Sequence, residues 1–186
     1  MNTNKKTKVV VPCRISYAHI WEGQVDDYGK TKYSVALLIP KDDEKTITKI
    51  NNAVQAAIEE GKSKLANAKG VVPKNIKLPL RDADAEGNDD PNYEGMMFFN
   101  ASSTRKPQIV DRHVQPILDT EEVYSGCYCN VSINFYAFSV DGNKGIAAGL
   151  NNIQKVKDGD RLAGGSSAED DFDSLDSDDD DESMFD

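Results

Sequence analysis

The sequence predicts a mainly β protein: a small barrel served by one amphipathic helix and followed by a disordered acidic C-terminal tail. Three observations predict it. Apolar residues recur at every second position in several separate runs. Helical spacing occurs between the second and third of those runs. Residues 165–186 hold 11 of the chain's 32 acidic groups and no Lys or Arg. Alternation of period two marks strands with one buried face, a 3.6-residue recurrence marks a helix, and a segment so charged cannot bury enough apolar surface to fold.

In chain order, a short basic arm, Lys5-Lys6-Thr7-Lys8, leads into the first strand. There Val9, Val11, Cys13, Ile15 and Tyr17 are expected inward, with Arg14 and Ser16 pointing the other way and Pro12 marking an edge or a bulge. Gly23, Asp26, Asp27 and Gly29 supply turn chemistry before a second strand, Thr31 to Ile39, whose expected buried side is Tyr33, Val35, Leu37 and Ile39. A hairpin brings Trp21, at the far end of the first strand, near Lys30 and Lys32 at the mouth of the second. Pro40 to Asp43 stops that strand and offers an N-cap. Ile47, Ile50, Val54, Ala57 and Ile58 then recur as one helical face until Gly61. Lys62 to Val72 prolongs or follows the helix, and residues 73–95, rich in Pro, Gly and acids, read as a long irregular insertion of the kind that often carries function.

Met96 to Ser103 is the third strand. Arg105-Lys106-Pro107 leads to a short apolar piece, Gln108 to Val110. Ser125 to Phe138 is the strand around which the rest is organised: Cys127, Cys129, Val131, Ile133, Phe135 and Ala137 form a buried face. The opposite face carries Tyr128, Asn130, Ser132, Asn134, Tyr136 and Phe138, rings and small polar groups without charge. Asp141-Gly142-Asn143 turns the chain into a last strand, Gly145 to Val156. Five strands with this spacing make a five-stranded OB-like Greek-key barrel, with the long helix after the second strand where the usual position is between the third and fourth.

The expected division is a domain over 1–163 and a tail over 164–186, joined at Gly164-Gly165-Ser166-Ser167. Set apart from its tail, a chain of net charge −10 becomes a near-neutral body, with 21 acids against 22 bases in residues 1–164. No apolar run is long enough for a membrane span and the N-terminus has no secretory h-region, so a cytoplasmic protein is expected. Three cysteines make a poor disulfide framework, and Cys127-x-Cys129 with two distant histidines falls short of the paired ligand clusters of a zinc site. No metal and no cofactor is expected, and no phosphate loop, nucleophile elbow or HExxH motif argues for an enzyme.

The uncharged ring-bearing face is what a sequence-tolerant reader of unpaired bases needs, although exposed strand aromatics also serve as ordinary cross-strand pairs. The expected stacking residues are Trp21, Phe98, Tyr128 and Tyr136, and the expected phosphate contacts are Arg14, Lys30, Lys32, Arg105 and Lys106. The tail, with Phe172, Asp178, Asp179, Asp180, Asp181 and Phe185, resembles a nucleic-acid strand in charge and adhesion. It is expected to compete for the same groove and to recruit partners; the plainer reading is a solubilising appendage. Two rivals stand beside this one: an acidic interaction module or DNA mimic that ignores oligonucleotides, and a metal-dependent nuclease using the carboxylates of residues 82–90. Homo-oligomer formation stays open.

The segments IWEGQVDDYGKTKYSVALLIPKDD, VYSGCYCNVSINFYAF and NKGIAAGLNNIQKVKDGDRLAGG resemble the single-stranded DNA-binding proteins of tailed bacteriophages, over nearly the whole body. The resemblance implies an OB fold and a non-enzymatic protein that coats single-stranded DNA during replication and recombination in a bacterial host. It also implies an acidic C-terminal tail that contacts replication or recombination proteins.

Overall fold

The computed structural model describes residues 6–162 and 172–175. The expected boundary at 163/164 and the tail residues Asp178 to Asp181 and Phe185 lie outside the described residues. The element order is β1 (Lys8–Val25), β2 (Thr31–Pro40), α1 (Glu44–Glu60), α2 (Lys62–Leu65), β3 (Arg81–Asp82), a 3-10 turn (Pro91–Tyr93), β4 (Met96–Ser103), β5 (Gln108–Val110), β6 (Tyr128–Val140) and β7 (Asn143–Lys157).

Five of these strands close a barrel. β1 pairs antiparallel with β2 and β6, β2 with β4, and β6 with β7. The ring is completed by a short parallel seam between β4 and β7, where Ala101 pairs with Ala148 and Ser102 with Gly149. This is the OB-like connectivity expected from the sequence, with α1 between the second and third barrel strands. β3 and β5 are short additions at the sheet edges.

The interior is built from the alternation. Val9, Val11, Cys13 and Ile15 of β1 face Val131, Ile133 and Phe135 of β6, Leu37 and Ile39 of β2, and Phe99 of β4, all buried. The Phe99 and Phe135 rings meet at its centre, 5.6 Å apart. α1 lays Ile50, Val54 and Ala57 on this core. Its start is capped by Asp43, which accepts from the Thr46 amide at 3.2 Å. It ends at Gly61, where a Cβ would collide with Ala137 of β6, so glycine lets the helix end press on the strand.

The insertion folds back over the outside of β2 and β4. It brings Ala83 and Tyr93 onto Leu38 and Phe98 and makes a second, smaller apolar cluster there. β2 is therefore buried on both faces, including Ala36 and Leu38, which strict alternation places outside. Tyr33, expected inside, is only half-buried. Pro12 sits in the stretch of β1 that precedes the β2 register, which begins at Arg14, so it occupies a local edge and costs the sheet no hydrogen bond there.

Candidate nucleic-acid interface

β1 does not keep one phase along its 18 residues. Its register with β2 shifts between Ser16 and His19 and again between His19 and Gln24. At the first shift Tyr17 takes φ 45°, a left-handed conformation costing a non-glycine residue about 1 kcal/mol or more. The bulge exchanges the two faces. Ser16, expected outside, is buried, and Tyr17, expected inside, is 59% exposed. Bulges of this kind re-aim a side chain.

Tyr17 is aimed onto the outer face of β2 and β4. It lines two adjoining hollows, one with Arg81, Tyr93, Phe98 and Asn100, the other with His19, Lys32, Ser34, Asn100 and Ser102. Beneath it Tyr93 is buried, within hydrogen-bonding reach of Ser16, and burial pushes the Tyr93 phenol upward. The face that results carries an open ring, small hydroxyls and amides, Lys32, His19 and the Arg81–Glu86 ion pair. In OB barrels this face, with the hairpin loop joining the first two strands, is where oligonucleotides lie. That loop holds Tyr28, 95% exposed, on a turn fastened by Asp26, whose Oδ1 accepts from the amides of Tyr28 (2.9 Å) and Lys30 (2.8 Å). Sequence reasoning missed Tyr17 because the bulge has no sequence mark beyond a break in alternation at Ala18. It missed Tyr28 although Asp26 to Gly29 already marked the turn that holds it out.

The expected residues fall into several places. On β6 the alternation holds throughout: Cys129, Val131, Ile133, Phe135 and Ala137 are buried, while Tyr128 (37%) and Tyr136 (46%) are exposed. The two tyrosines lie toward opposite ends of the strand. Tyr136 stands over Gly149 of β7, where a Cβ would lie 3.6 Å from its Cε1. Tyr128 is flanked by cations, with the Arg14 guanidinium 5.6 Å and Lys157 Nζ 4.8 Å from its ring centre. Trp21 is half-buried against the core and donates through Nε1 to the Val123 carbonyl at 3.0 Å, with Lys106 Nζ 5.9 Å from its ring. Phe98 departs from its expected role. It is 6% exposed, with the edge of Tyr93 at 5.3 Å and the Arg81 guanidinium at 4.8 Å, so it offers no open face to a base. The insertion that covers it is the reason.

Among the cations, Lys30 and Lys32 sit on the β1–β2 hairpin and Arg105 and Lys106 follow β4. Arg14 is otherwise engaged. Its Nε donates to the Gly126 carbonyl at 3.1 Å and its Nη2 to the Asp160 carbonyl at 2.8 Å, holding a strap, residues 158–162, across the start of β6. Tyr124 donates to the Gly159 carbonyl at 2.8 Å, and the Leu162 amide to Ser125 at 3.1 Å. Leu162 then packs on the outer cluster of Leu38, Ala83, Tyr93 and Phe98, which brings the root of the tail to the edge of the β2–β4 face. Farther along, Phe172 and Leu175 are exposed.

The acidic insertion forms no metal site among the described residues. Lys41 reaches both Asp82 and Asp84 at 2.7 Å, and these contacts, with backbone amides of the loop, hold both carboxyls below the usual aspartate range. Of the carboxylates in the nuclease reading, Asp82 and Asp84 are thus ion-paired to Lys41 and Glu86 to Arg81, while Asp90 accepts from the Asn92 amide at 3.0 Å. The cysteines are buried thiols. Burial, and then the neighbouring Cys127, pushes Cys129 up to about 12.

Residues 6–184 match the family model described as Enterobacter phage Enc34, ssDNA-binding protein. Protein p50 of Acyrthosiphon pisum secondary endosymbiont phage 1 is 32% identical over 168 residues, spanning 87% of this chain and 90% of the relative. The bacteriophage Enc34 single-stranded DNA-binding protein in complex with ssDNA superposes with a TM-score of 0.66 at 28% identity, covering 84% of this chain and 88% of the other. Its C-terminally truncated form gives 0.68 at 27%, over 83% and 86%. The gp2.5 single-stranded DNA-binding protein of bacteriophage T7 shares the fold, with a TM-score of 0.55 at 17% identity over 86% and 97% of the two chains.

Proposed function

The chain belongs to the family of the Enterobacter phage Enc34 ssDNA-binding protein, a family of non-enzymatic binding proteins, and from that premise we propose that it coats and protects single-stranded DNA, without sequence preference, during phage replication and recombination in the host cell. The observation that carries this reading is Tyr17. A ring turned outward by a strained bulge, on a face of hydroxyls and amides with Lys32 at its side, is built to stack on a base while the cation meets phosphate. Tyr28 and Tyr136 add further open rings, and Phe98 supports the face from beneath.

The tail belongs to the same scheme. Eleven carboxylates with Phe172 and Phe185 among them mimic a strand. Leu162 packs at the edge of the β2–β4 face, which supports a role in which the tail competes with DNA for that face and, once displaced, recruits replication or recombination proteins.

Titration of a fluorescent oligo-dT against the full chain, at low and high salt and with duplex competitor, tests the function. Binding that prefers single strands and weakens with salt is expected. Equal affinity for duplex, or none for either, overturns it, and the latter result leaves the acidic interaction module in its place.

A further inference from the structure

A second cleft lies around the barrel from the β2–β4 face, with a volume of about 400 Å³, inside the range of small-ligand sites. Lys8, Arg105 and Lys106 line it together with Gln108, Asn134, Asn151 and Asn152, and no carboxylate does. Among the described residues none of the three cations enters an ion pair, so their charge is uncompensated where they meet.

The amides are set in advance. Asn134 Oδ1 accepts from the Thr7 hydroxyl at 3.1 Å, and Asn152 Oδ1 accepts from the Gln108 amide at 3.2 Å, which leaves each Nδ2 as a donor toward the cleft. Asn151 Nδ2 donates to Ser132 Oγ at 3.4 Å, which leaves its Oδ1 as an acceptor. Oriented donors and an acceptor beside cations suit base edges and phosphates together.

The two surfaces are joined. Ser102 lines the β2–β4 face, and it pairs across the seam with Gly149, which pairs in turn with Asn134, itself opposite Lys8. Gly149 carries no side chain at the crossing, and the exposed ring of Tyr136 borders it.

We infer that this cleft is a second segment of the single-stranded DNA track. A strand that fills the β2–β4 face crosses the seam at Gly149, passes Tyr136 and ends among Lys8, Arg105, Lys106 and the three asparagines. The inference rests on the proposed DNA-binding function and extends it, because short strands fill only the first segment.

The experiment compares oligo-dT of about six with oligo-dT of about fifteen nucleotides, lengths within the site sizes of OB barrels, on the full wild-type chain and on the double variant Arg105→Gln/Lys106→Gln. The variant is expected to lose roughly tenfold affinity for the longer strand and to show a salt slope shallower by about 1.4, the loss of two phosphate contacts on a single strand. Its affinity for the shorter strand stays within about twofold of wild type, the change expected when no phosphate contact is lost. Equal losses on both strands place the two cations on the first face, and no loss on either removes them from the track; each result overturns the inference. In the unaltered chain, side-chain amide NMR signals of Asn134, Asn151 and Asn152 shift with the longer strand only, and shifts with neither overturn it as well. A wild-type chain that binds neither length refutes the DNA-binding reading itself, a result distinct from these.

Discussion

The rings of Tyr17 and Tyr93 stand 6.4 Å apart at 58° to each other, yet one is 59% exposed and the other 3%. The buried ring is a pedestal for the open one. Tyr93 is held by the 3-10 turn and by contact with Phe98, so the position of Tyr17 over β2 and β4 is fixed from below as well as by its own backbone.

Replacing Tyr17 by Ala is expected to weaken oligo-dT binding by about 1–3 kcal/mol, roughly 5- to 150-fold in Kd, while Tyr17→Phe retains most of it. Tyr17→Gly adopts the left-handed backbone freely, so it should lose the same affinity and keep stability within about 1 kcal/mol of wild type. Fluorescence titration and urea unfolding of the three variants check this. Full affinity in Tyr17→Ala removes the residue from the interface.

Phe98→Ala is expected to act on stability, by about 3 kcal/mol, as for a buried ring whose cavity cannot fully collapse. Oligonucleotide affinity measured well below the lowered Tm should fall much less than in Tyr17→Ala. The opposite ranking would falsify the supporting role of Phe98.

Gly126 adopts φ 121°, and a Cβ there would collide with the Asp160 carbonyl. Gly126→Ala should therefore dislodge the strap, and limited proteolysis should cut residues 158–162 in the variant before it cuts the barrel. Wild-type resistance at that site would mean that the strap does not depend on this close approach.

The same titration applied to a chain lacking 165–186 should show tighter DNA binding, most strongly at low salt, because a competing polyanion has gone and its effect is screened as salt rises. Unchanged or weaker affinity refutes competition by the tail.

The thiols should resist alkylation at pH 8 in the native chain, and all three should react in denaturant. With the folded Cys129 pushed up to about 12, the native state holds a neutral thiol where the unfolded chain ionises. This contribution to stability is complete below the ordinary thiol range and is lost as pH rises through it toward the folded value. Urea midpoints measured across alkaline pH should fall accordingly.

Much of the barrel was legible in the sequence, and the reasons are local. β6 pairs with β1 without a shift from Tyr128 to Asn134, and the two irregularities in its pairing with β7 put the extra residue on β7, so the odd and even residues of β6 separate as alternation requires. α1 was legible because Ile50, Val54 and Ala57 repeat on one face between Asp43 and Gly61. β1 was not, past Ser16, because a bulge inverts the phase of everything after it at the cost of a single strained residue. Phe98 was misjudged for a different reason. Whether an outward strand residue is open depends on what folds back over it, and the insertion that buries Phe98 carries no periodic signal of its own. For Arg14 a sequence does not show that two of its five donors are taken by carbonyls 112 and 146 residues away.

The barrel is hooped shut by two residue pairs, Ala101 with Ala148 and Ser102 with Gly149, whereas its other joints run much longer. Such a cask springs its staves at that joint first. On the track inferred above, a strand lying across the joint would clasp it, so that occupancy and resistance to melting would rise together.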